Sequence, residues 1–323
     1  MRIFVTGATG FIGHHLCRHL VDRGDEVVAL VRSPKKASRL PEGVQTITGD
    51  LSTFANAQTV LPPCDVVIHL AGVIAAEKLE DYDAVNHRAV RELVDCLARQ
   101  SWAPKRLLFA SSLAAMGPSL PGHPLRESDP PRPVEAYGIA KAQGELVVER
   151  APFPTTTFRP PLVFGPGDEA TLTFFKAARS GVGMRIAGPP QELSFVDVRD
   201  LADAIARMAD DRRGESLVYF ASHPEAMNVP TLWRELGRAF GKRVLVIPLP
   251  RTVLFLAMLV ATFFAKIFRF KNQLDRKQYD QMIAPAFVCS SEKLCSELGW
   301  KPRYGFGETL ANAAKWYREA GWL

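Results

Sequence analysis

Tyr137 and Lys141 stand four residues apart in Tyr137-Gly138-Ile139-Ala140-Lys141, a spacing that sets a phenol and an ammonium on one face of a helix. A phenol there can give a proton to, or take one from, a carbonyl or carbinol oxygen while a hydride reaches or leaves its carbon. Free tyrosine titrates at about 10, so the neighbouring cation is expected to favour the phenolate. The pair alone says little, because the spacing arises readily by chance. Its weight comes from Ser111 and Ser112, which close the apolar run 106–110, with Ser112 lying 25 residues before Tyr137.

A second constellation lies near the N-terminus. Thr6-Gly7-Ala8-Thr9-Gly10-Phe11-Ile12-Gly13 follows the first apolar run and opens a helical pattern. Glycine suits the turn because φ can be positive, the second place because backbone can approach a pyrophosphate, and the third because helix and strand pack closely. The helix N-terminus then offers free N–H groups and a positive dipole end to an anion. The pattern points to dinucleotide binding by Gly7, Thr9, Gly10, Phe11, Ile12 and Gly13. In an NAD site an acid ending the second strand holds the ribose 2′-OH. Here the run 27–31 ends in valine and Arg32 follows. A guanidinium suits a 2′-phosphate, and no carboxylate is expected beside it. NADP is the expected cofactor, with NAD the alternative; Arg32 as a solvated surface residue is the competing reading.

The elements that must position these groups show in the rhythm of the chain. Short apolar runs at 3–6, 27–31, 44–48, 66–70, 106–110 and 155–159 alternate with helical patterns, as in a parallel doubly wound sheet. The stretch 65–70 is nearly continuous in apolar residues, as a strand buried on both faces should be. The expected fold is α/β, a Rossmann-type doubly wound parallel sheet with a smaller C-terminal substrate lobe. Residues 1–165 would form the dinucleotide-binding domain. Residues 193–222 would return to it, with 193–198 and 216–220 as strands and 200–209 as a helix. Residues 166–192 and 223–323 would form the lobe over the strand C-terminal ends, where open α/β sheets place ligands.

Composition agrees with a folded enzyme-sized chain. Its 323 residues are 47% hydrophobic and 23% charged, which excludes disordered, collagenous and coiled-coil classes. The five cysteines, Cys17, Cys64, Cys96, Cys289 and Cys295, are odd in number and lack C-x-x-C spacing, so neither a disulfide framework nor a metal site is expected. A cytoplasmic location is expected, since Met1-Arg2-Ile3-Phe4-Val5 runs straight into the glycine turn without an export signal. The net charge of +6 is local. Residues 242–277 hold eight of the 40 basic residues and one of the 34 acidic ones, a charge of +7 against −1 elsewhere. No basic stripe with interleaved aromatics suggests nucleic acid.

Together these residues resemble the short-chain dehydrogenase/reductase superfamily, in its extended, epimerase/dehydratase-like branch. The resemblance covers nearly the whole chain. It includes the glycine turn, Gly49-Asp50-Leu51, His69-Leu70-Ala71-Gly72, Asn86, Ser111-Ser112, Tyr137 with Lys141, and Arg159-Pro160 with Gly165-Pro166-Gly167. It continues through Phe195-Val196-Asp197-Val198-Arg199-Asp200 and Leu298-Gly299-Trp300-Lys301-Pro302. It implies Tyr137 as general acid/base, Ser112 aligning the substrate oxygen and Lys141 holding the nicotinamide ribose. A positive, oxidised nicotinamide would further favour the phenolate. Asp50 and Leu51 would meet the adenine, and Leu70, Ala71 and Gly72 would run beneath the pyrophosphate and ribose. Asn86, Pro160 and Val163 would complete the cofactor contacts. A homodimer through two helices of the cofactor domain is also implied. Structural roles compete residue by residue: Ser112 can cap a helix, Asn86 can be a buried amide satisfied by backbone, and His69 reads as a core imidazole.

Three departures narrow the substrate. Dehydratases of this branch carry Asp-Glu after the catalytic hydroxyl, whereas Ser112 is followed by Leu113-Ala114-Ala115-Met116-Gly117. Similar nucleotide-sugar epimerases place an arginine just before the stretch 195–200, where this chain has Glu192-Leu193-Ser194. Third, residues 251–270 hold 14 uncharged residues between Arg251 and Lys266, short of the roughly 20 that span a bilayer. That segment can lie on an anionic membrane surface, line an entrance for a lipophilic ligand, or be buried in the lobe or a dimer interface. The expected function is an NAD(P)-dependent oxidoreductase similar to the 3β-hydroxysteroid dehydrogenase and dihydroflavonol reductase groups. It would move hydride between nicotinamide and a small hydrophobic alcohol or ketone of steroid, isoprenoid or flavonol type. A redox-neutral nucleotide-sugar epimerase and a non-catalytic dinucleotide-sensing subunit are the alternatives. Arg32→Ala is predicted to weaken NADPH far more than NADH in fluorescence titrations; an unchanged preference would mark Arg32 as a surface residue.

Overall fold

The computed structural model describes residues 1–76, 78–268 and 276–323, with side chains described outside 263–268. The six expected runs form β1 (Arg2–Thr6), β2 (Glu26–Val31), β3 (Gln45–Thr48), β4 (Val66–His69), β5 (Arg106–Ala110) and β6 (Thr155–Arg159), and Leu217–Phe220 supplies β7. All seven pair in parallel in the order β7-β6-β5-β4-β1-β2-β3. The chain starts at mid-sheet, walks out to β3, and crosses back through β4 towards the other edge. The reversal between β1 and β4 opens a crevice at their carboxyl ends, where such a sheet binds ligands. Every residue of β4, β5 and β6 is buried, which is why these strands read as runs instead of alternations.

Helices α1 (Phe11–Asp22), α2 (Ala89–Ala98), α3 (Ala136–Glu149) and α4 (Val198–Asp210) cover the sheet. Strand side chains alternate between the two covers. Ile3 and Val5 pack with α1 and α4, while Phe4 packs with α2 and α3. A third apolar cluster joins α5 (Val229–Ala239) and α7 (Phe306–Glu319) around Phe175 and Phe195 in the smaller lobe, which also carries α6 (Arg251–Phe268).

One expected strand takes another place. The stretch 193–198 does not enter the central sheet: Phe195–Asp197 pairs with Leu162–Phe164, and Glu192–Leu193 lies between Met227–Asn228 and Ala286–Phe287. The cause lies just past β6, where Pro160 and Pro161 have no N–H to give a ladder, so the chain leaves the sheet and starts a small one. The helix that follows, α4, does pack back onto α1 and the main core.

The C-terminal segment is fastened to α4. Trp300 is fully buried and its indole N–H donates to the Asp200 carbonyl at 3.1 Å. The Asp200 carboxylate accepts the backbone N–H groups of Arg303 and Tyr304 at 3.0 Å each. Trp300→Ala is predicted to cost about 3–5 kcal/mol, read as a lower urea midpoint at unchanged slope; a loss under about 1 kcal/mol would show that this anchor carries no weight.

Candidate active site

The phosphate turn is shaped by contact with β4. Gly7 has φ 75°, and a Cβ there would lie 2.6 Å from the Ala71 nitrogen and 2.8 Å from the Leu70 carbonyl carbon. A Cβ on Gly13 would meet the Gly7 oxygen at 2.2 Å, so α1 sits directly on the turn. Gly10 is the N-cap of α1 and no side chain caps it. The first-turn N–H groups, at half-buried Phe11 and Ile12 and at Gly13, therefore face an external acceptor, with Thr9 half-buried beside them. Thr6 and His69 share a buried 2.7 Å hydrogen bond that ties the ends of β1 and β4. Burial and the Lys141 charge push His69 down to about 3, so it is a neutral core imidazole. An uncapped helix end over a turn that tolerates no side chain fits the pyrophosphate of a dinucleotide.

Past the ends of β2 and β3, Arg32 and Asp50 are both exposed. The Asp50 carboxylate caps the turn Leu51–Ala55, accepting the Ser52 N–H at 2.9 Å and the Ser52 hydroxyl at 2.5 Å. Those bonds, with the Arg32 charge adding to them, hold Asp50 below the usual carboxylate range. The expectation that no carboxylate lies near Arg32 is therefore corrected: one arrives from the neighbouring strand. Leu51 is half-buried next to it.

Tyr137 enters the site through α3. The buried Glu135 carboxylate starts that helix by accepting the N–H groups of Tyr137 and Gly138, both at 2.7 Å. Gly138 lets the helix close on the turn after β5, since a Cβ there would lie 2.3 Å from the Ala114 oxygen. Ser112 caps that turn, its hydroxyl accepting the Ala114 N–H at 3.1 Å, and it stands near enough to the Tyr137 phenol to draw its pKa down. Burial pushes Tyr137 up to about 12; Glu135 and Tyr82 push the same way and Ser112 opposes. The Tyr82 ring meets it edge-on at 6.2 Å.

The pull of Lys141 towards the phenolate, expected from the sequence, does not outweigh burial of the phenol. The Lys141 ammonium donates to the Ala110 carbonyl at 2.7 Å and lies 5.1 Å from the Phe109 ring, and burial lowers its own pKa to about 8 against the pull of Glu145. Desolvation wins over the expected charge effect on both groups. Gly72 joins them: a Cβ there would lie 2.8 Å from Asn86 Oδ1 and 3.1 Å from Lys141 Nζ. Asn86, buried in the π-helical turn Ala84–Arg88, accepts the Val73 N–H at 3.1 Å and donates to the Val73 carbonyl at 2.9 Å. It is satisfied by backbone, and in being so it fixes the loop after β4. Pro160 is buried and its carbonyl accepts the Leu113 N–H at 2.9 Å; Val163 packs against the main core.

Glu145 was not singled out from the sequence. It lies four residues beyond Lys141, on the same helix face as Tyr137, and that repeated spacing was the available signal. Its carboxylate accepts the Ser111 hydroxyl and pairs with both Arg159 Nε at 2.9 Å and a terminal guanidinium nitrogen at 2.6 Å. This nearly buried pair bridges α3 and the end of β6 behind Lys141. The arrangement can hold a dinucleotide along the strand ends and present a protonated phenol to an oxygen beside it.

The model of the NAD dependent epimerase/dehydratase family matches residues 3–229. A ceramide reductase of Caulobacter vibrioides is 26% identical over 99% of this chain and 96% of its own length. A UDP-glucose 4-epimerase of Vibrio cholerae is 24% identical over 98% of this chain and 96% of its own. Among solved structures, the UDP-glucose 4-epimerase of Thermus thermophilus in complex with NAD superposes with a TM-score of 0.76 at 24% identity, covering 99% of this chain and all of that one.

Lys141 titrates at about 8 in the fold against 10.5 when unperturbed, so between those values the folded state binds fewer protons than the unfolded one. Its contribution to stability therefore rises with pH across that window. Lys141→Met removes the titration. From about pH 7.5 to 10.5 the wild type is predicted to gain about 3 kcal/mol relative to the variant in urea unfolding; parallel profiles would show that Lys141 is not desolvated.

Proposed function

The chain belongs to the NAD dependent epimerase/dehydratase family, and from that premise we propose that it is an NAD(P)-dependent oxidoreductase acting on a hydrophobic ketone or alcohol, with NADP as its cofactor. The observation that carries the reading is the convergence of Ser112, Tyr137 and buried Lys141 at the carboxyl end of β5, where Ser112 acts on the Tyr137 phenol and the Lys141 ammonium is held by the Ala110 carbonyl. A nicotinamide dinucleotide, when bound, supplies or accepts the hydride. Tyr137, held protonated by burial up to about 12, is suited to give its proton to a carbonyl oxygen at neutral pH. Ser112 aligns that oxygen through its hydroxyl. Lys141, beside Gly72 and Asn86, is the cation available to the ribose hydroxyls, and Glu145 with Arg159 keeps its helix in place. Arg32, exposed just past β2, supports the choice of NADP because a guanidinium suits a 2′-phosphate, although the Asp50 carboxylate nearby weighs against it.

The hydrophobic substrate is supported by what surrounds the oxygen site. Leu113 and Met116 pack with Phe220 and Cys289, leaving no carboxylate after Ser112 to remove water. Before the strand Phe195–Asp197, Ser194 is buried and accepts the Cys289 N–H at 3.1 Å, and Glu192 faces the Gly122 N–H at 3.4 Å. Neither offers a cation to a sugar diphosphate. The likeness to a ceramide reductase over nearly the whole chain is in keeping with this reading. A redox-neutral epimerase is the second reading, favoured by the comparable likeness to the Vibrio enzyme.

NADPH absorbance decay with purified protein, challenged separately with lipid and water-soluble cell extracts, separates the two. The expected result is consumption with the lipid extract. Tyr137→Phe should lower that rate by about 10²–10⁴-fold while NADPH binding is kept. Full turnover in the variant would remove the mechanism, and interconversion of sugar nucleotides without net consumption would establish the epimerase.

A further inference from the structure

We infer that one corner of the smaller lobe, made by α6 and the two-stranded ribbon Val182–Ile186 with Leu245–Leu249, is a docking surface for an anionic lipid membrane. Of the described side chains of α6, only Leu254 and Met258 are buried, against Tyr279 and the partly buried Ile186 and Leu249. The rest of the helix turns Val253, Leu256, Leu259 and Val260 outward, each 46–58% exposed. No aspartate or glutamate occurs anywhere in 251–268. A helix apolar on its outer as well as its inner face is a helix whose outer face is meant to be covered.

The ribbon extends the same surface. Leu245 pairs with Val182 and Ile247 with Met184, and all four are exposed. Its other face is closed by α5, since a Cβ on Gly183 would lie 2.5 Å from the Trp233 ring. The side chains at alternate positions therefore stand together on the outer face, and Pro250 alone separates the ribbon from α6. These two elements hold eight of the sixteen large apolar side chains exposed among the described residues.

Charge selects the occupant. The stretch 242–277 carries +7, and Lys242, Arg243, Arg251 and Lys277 are exposed around the patch, while Arg276 is met by Asp280 at 3.1 Å. Lys266, Arg269 and Lys271 belong to the same basic stretch and lie outside the described side chains. A second copy meeting this face by two-fold symmetry would set one basic field against another, which disfavours self-association. Anionic headgroups satisfy the basic rim while the acyl boundary takes the apolar face, the arrangement of an interfacial helix. No helix among the described residues is long and apolar enough to cross a membrane, so the contact lies in the surface plane.

The inference rests on this surface and not on the reaction proposed above, and its test reads no turnover. The full chain is sedimented with vesicles of phosphatidylcholine alone or with added phosphatidylserine. At least tenfold stronger binding to the anionic vesicles, lost at high salt, is expected. Leu256→Glu with Val260→Glu, both exposed positions, should abolish binding while melting temperature and NADPH affinity stay unchanged. Equal binding to both vesicles, no binding, or a dimer in light scattering that the double variant dissociates would overturn the proposal, the last by making this face a contact between copies.

Discussion

Drawing the half-buried phenol of Tyr137 and the buried ammonium of Lys141 away from water, one helical turn apart, is the constraint that the surrounding structure answers. Burial drives both towards their neutral forms, the phenol up to about 12 and the ammonium down to about 8. Each therefore needs a partner supplied by the fold. Ser112 serves the phenol and the Ala110 carbonyl serves the ammonium, while the Glu145 carboxylate draws the Lys141 pKa back upward. Glu145 is itself nearly buried, and a lone carboxylate there would be costly. Arg159 and Ser111 pair with it, so the requirement passes outward from the site until it reaches the end of β6.

The sheet makes this arrangement possible because all the partners come from strand ends on one edge of it. Ala110 ends β5 with Ser111 and Ser112 following it, Arg159 ends β6, and Leu70 to Gly72 follow β4. Only α3 has to be brought in from outside, and Gly138 is the position at which it comes close, against the Ala114 carbonyl. The glycine turn at the other side of the crevice follows the same rule, with Gly7 and Gly72 both pressed where a side chain would collide. The line from Gly10 to Lys141, the path proposed for the dinucleotide, thus follows backbone and close-packed glycines.

Much of this was legible in the sequence. Apolar runs marked the central strands because both faces of the sheet are covered there, whereas β3 lies exposed at the edge, and the glycine turn, Ser112, Tyr137 and Lys141 carry their chemistry in residue type and spacing. What escaped was set by neighbours distant in the chain. Asp50 reaches Arg32 only because β3 pairs with β2. Glu145 finds Arg159 only because α3 packs over β6. The direction of the Tyr137 shift was misread for the same reason: a cation four residues away is visible in sequence, whereas the depth of burial is not. Pro160-Pro161, by contrast, was a readable signal that the chain leaves the sheet before the stretch 195–197. For residues 251–268 the sequence left membrane, ligand entrance and buried helix open, and the exposure of Val253, Leu256 and Val260 removes full burial in the lobe.

The direct test of a half-buried phenol held protonated at the centre of the site is its phenolate absorbance at about pH 10, where free tyrosines are half ionised. The wild type carries six tyrosines, so Tyr137 is isolated as the difference between wild type and Tyr137→Phe. In the free protein that difference should be absent, because burial holds the phenol protonated up to about 12 and Lys141 does not counter it. With NADP⁺ bound it should appear, since the positive ring brings the favouring charge that the lysine does not supply. A phenolate difference already present in the free protein, or none with the cofactor bound, would contradict the account.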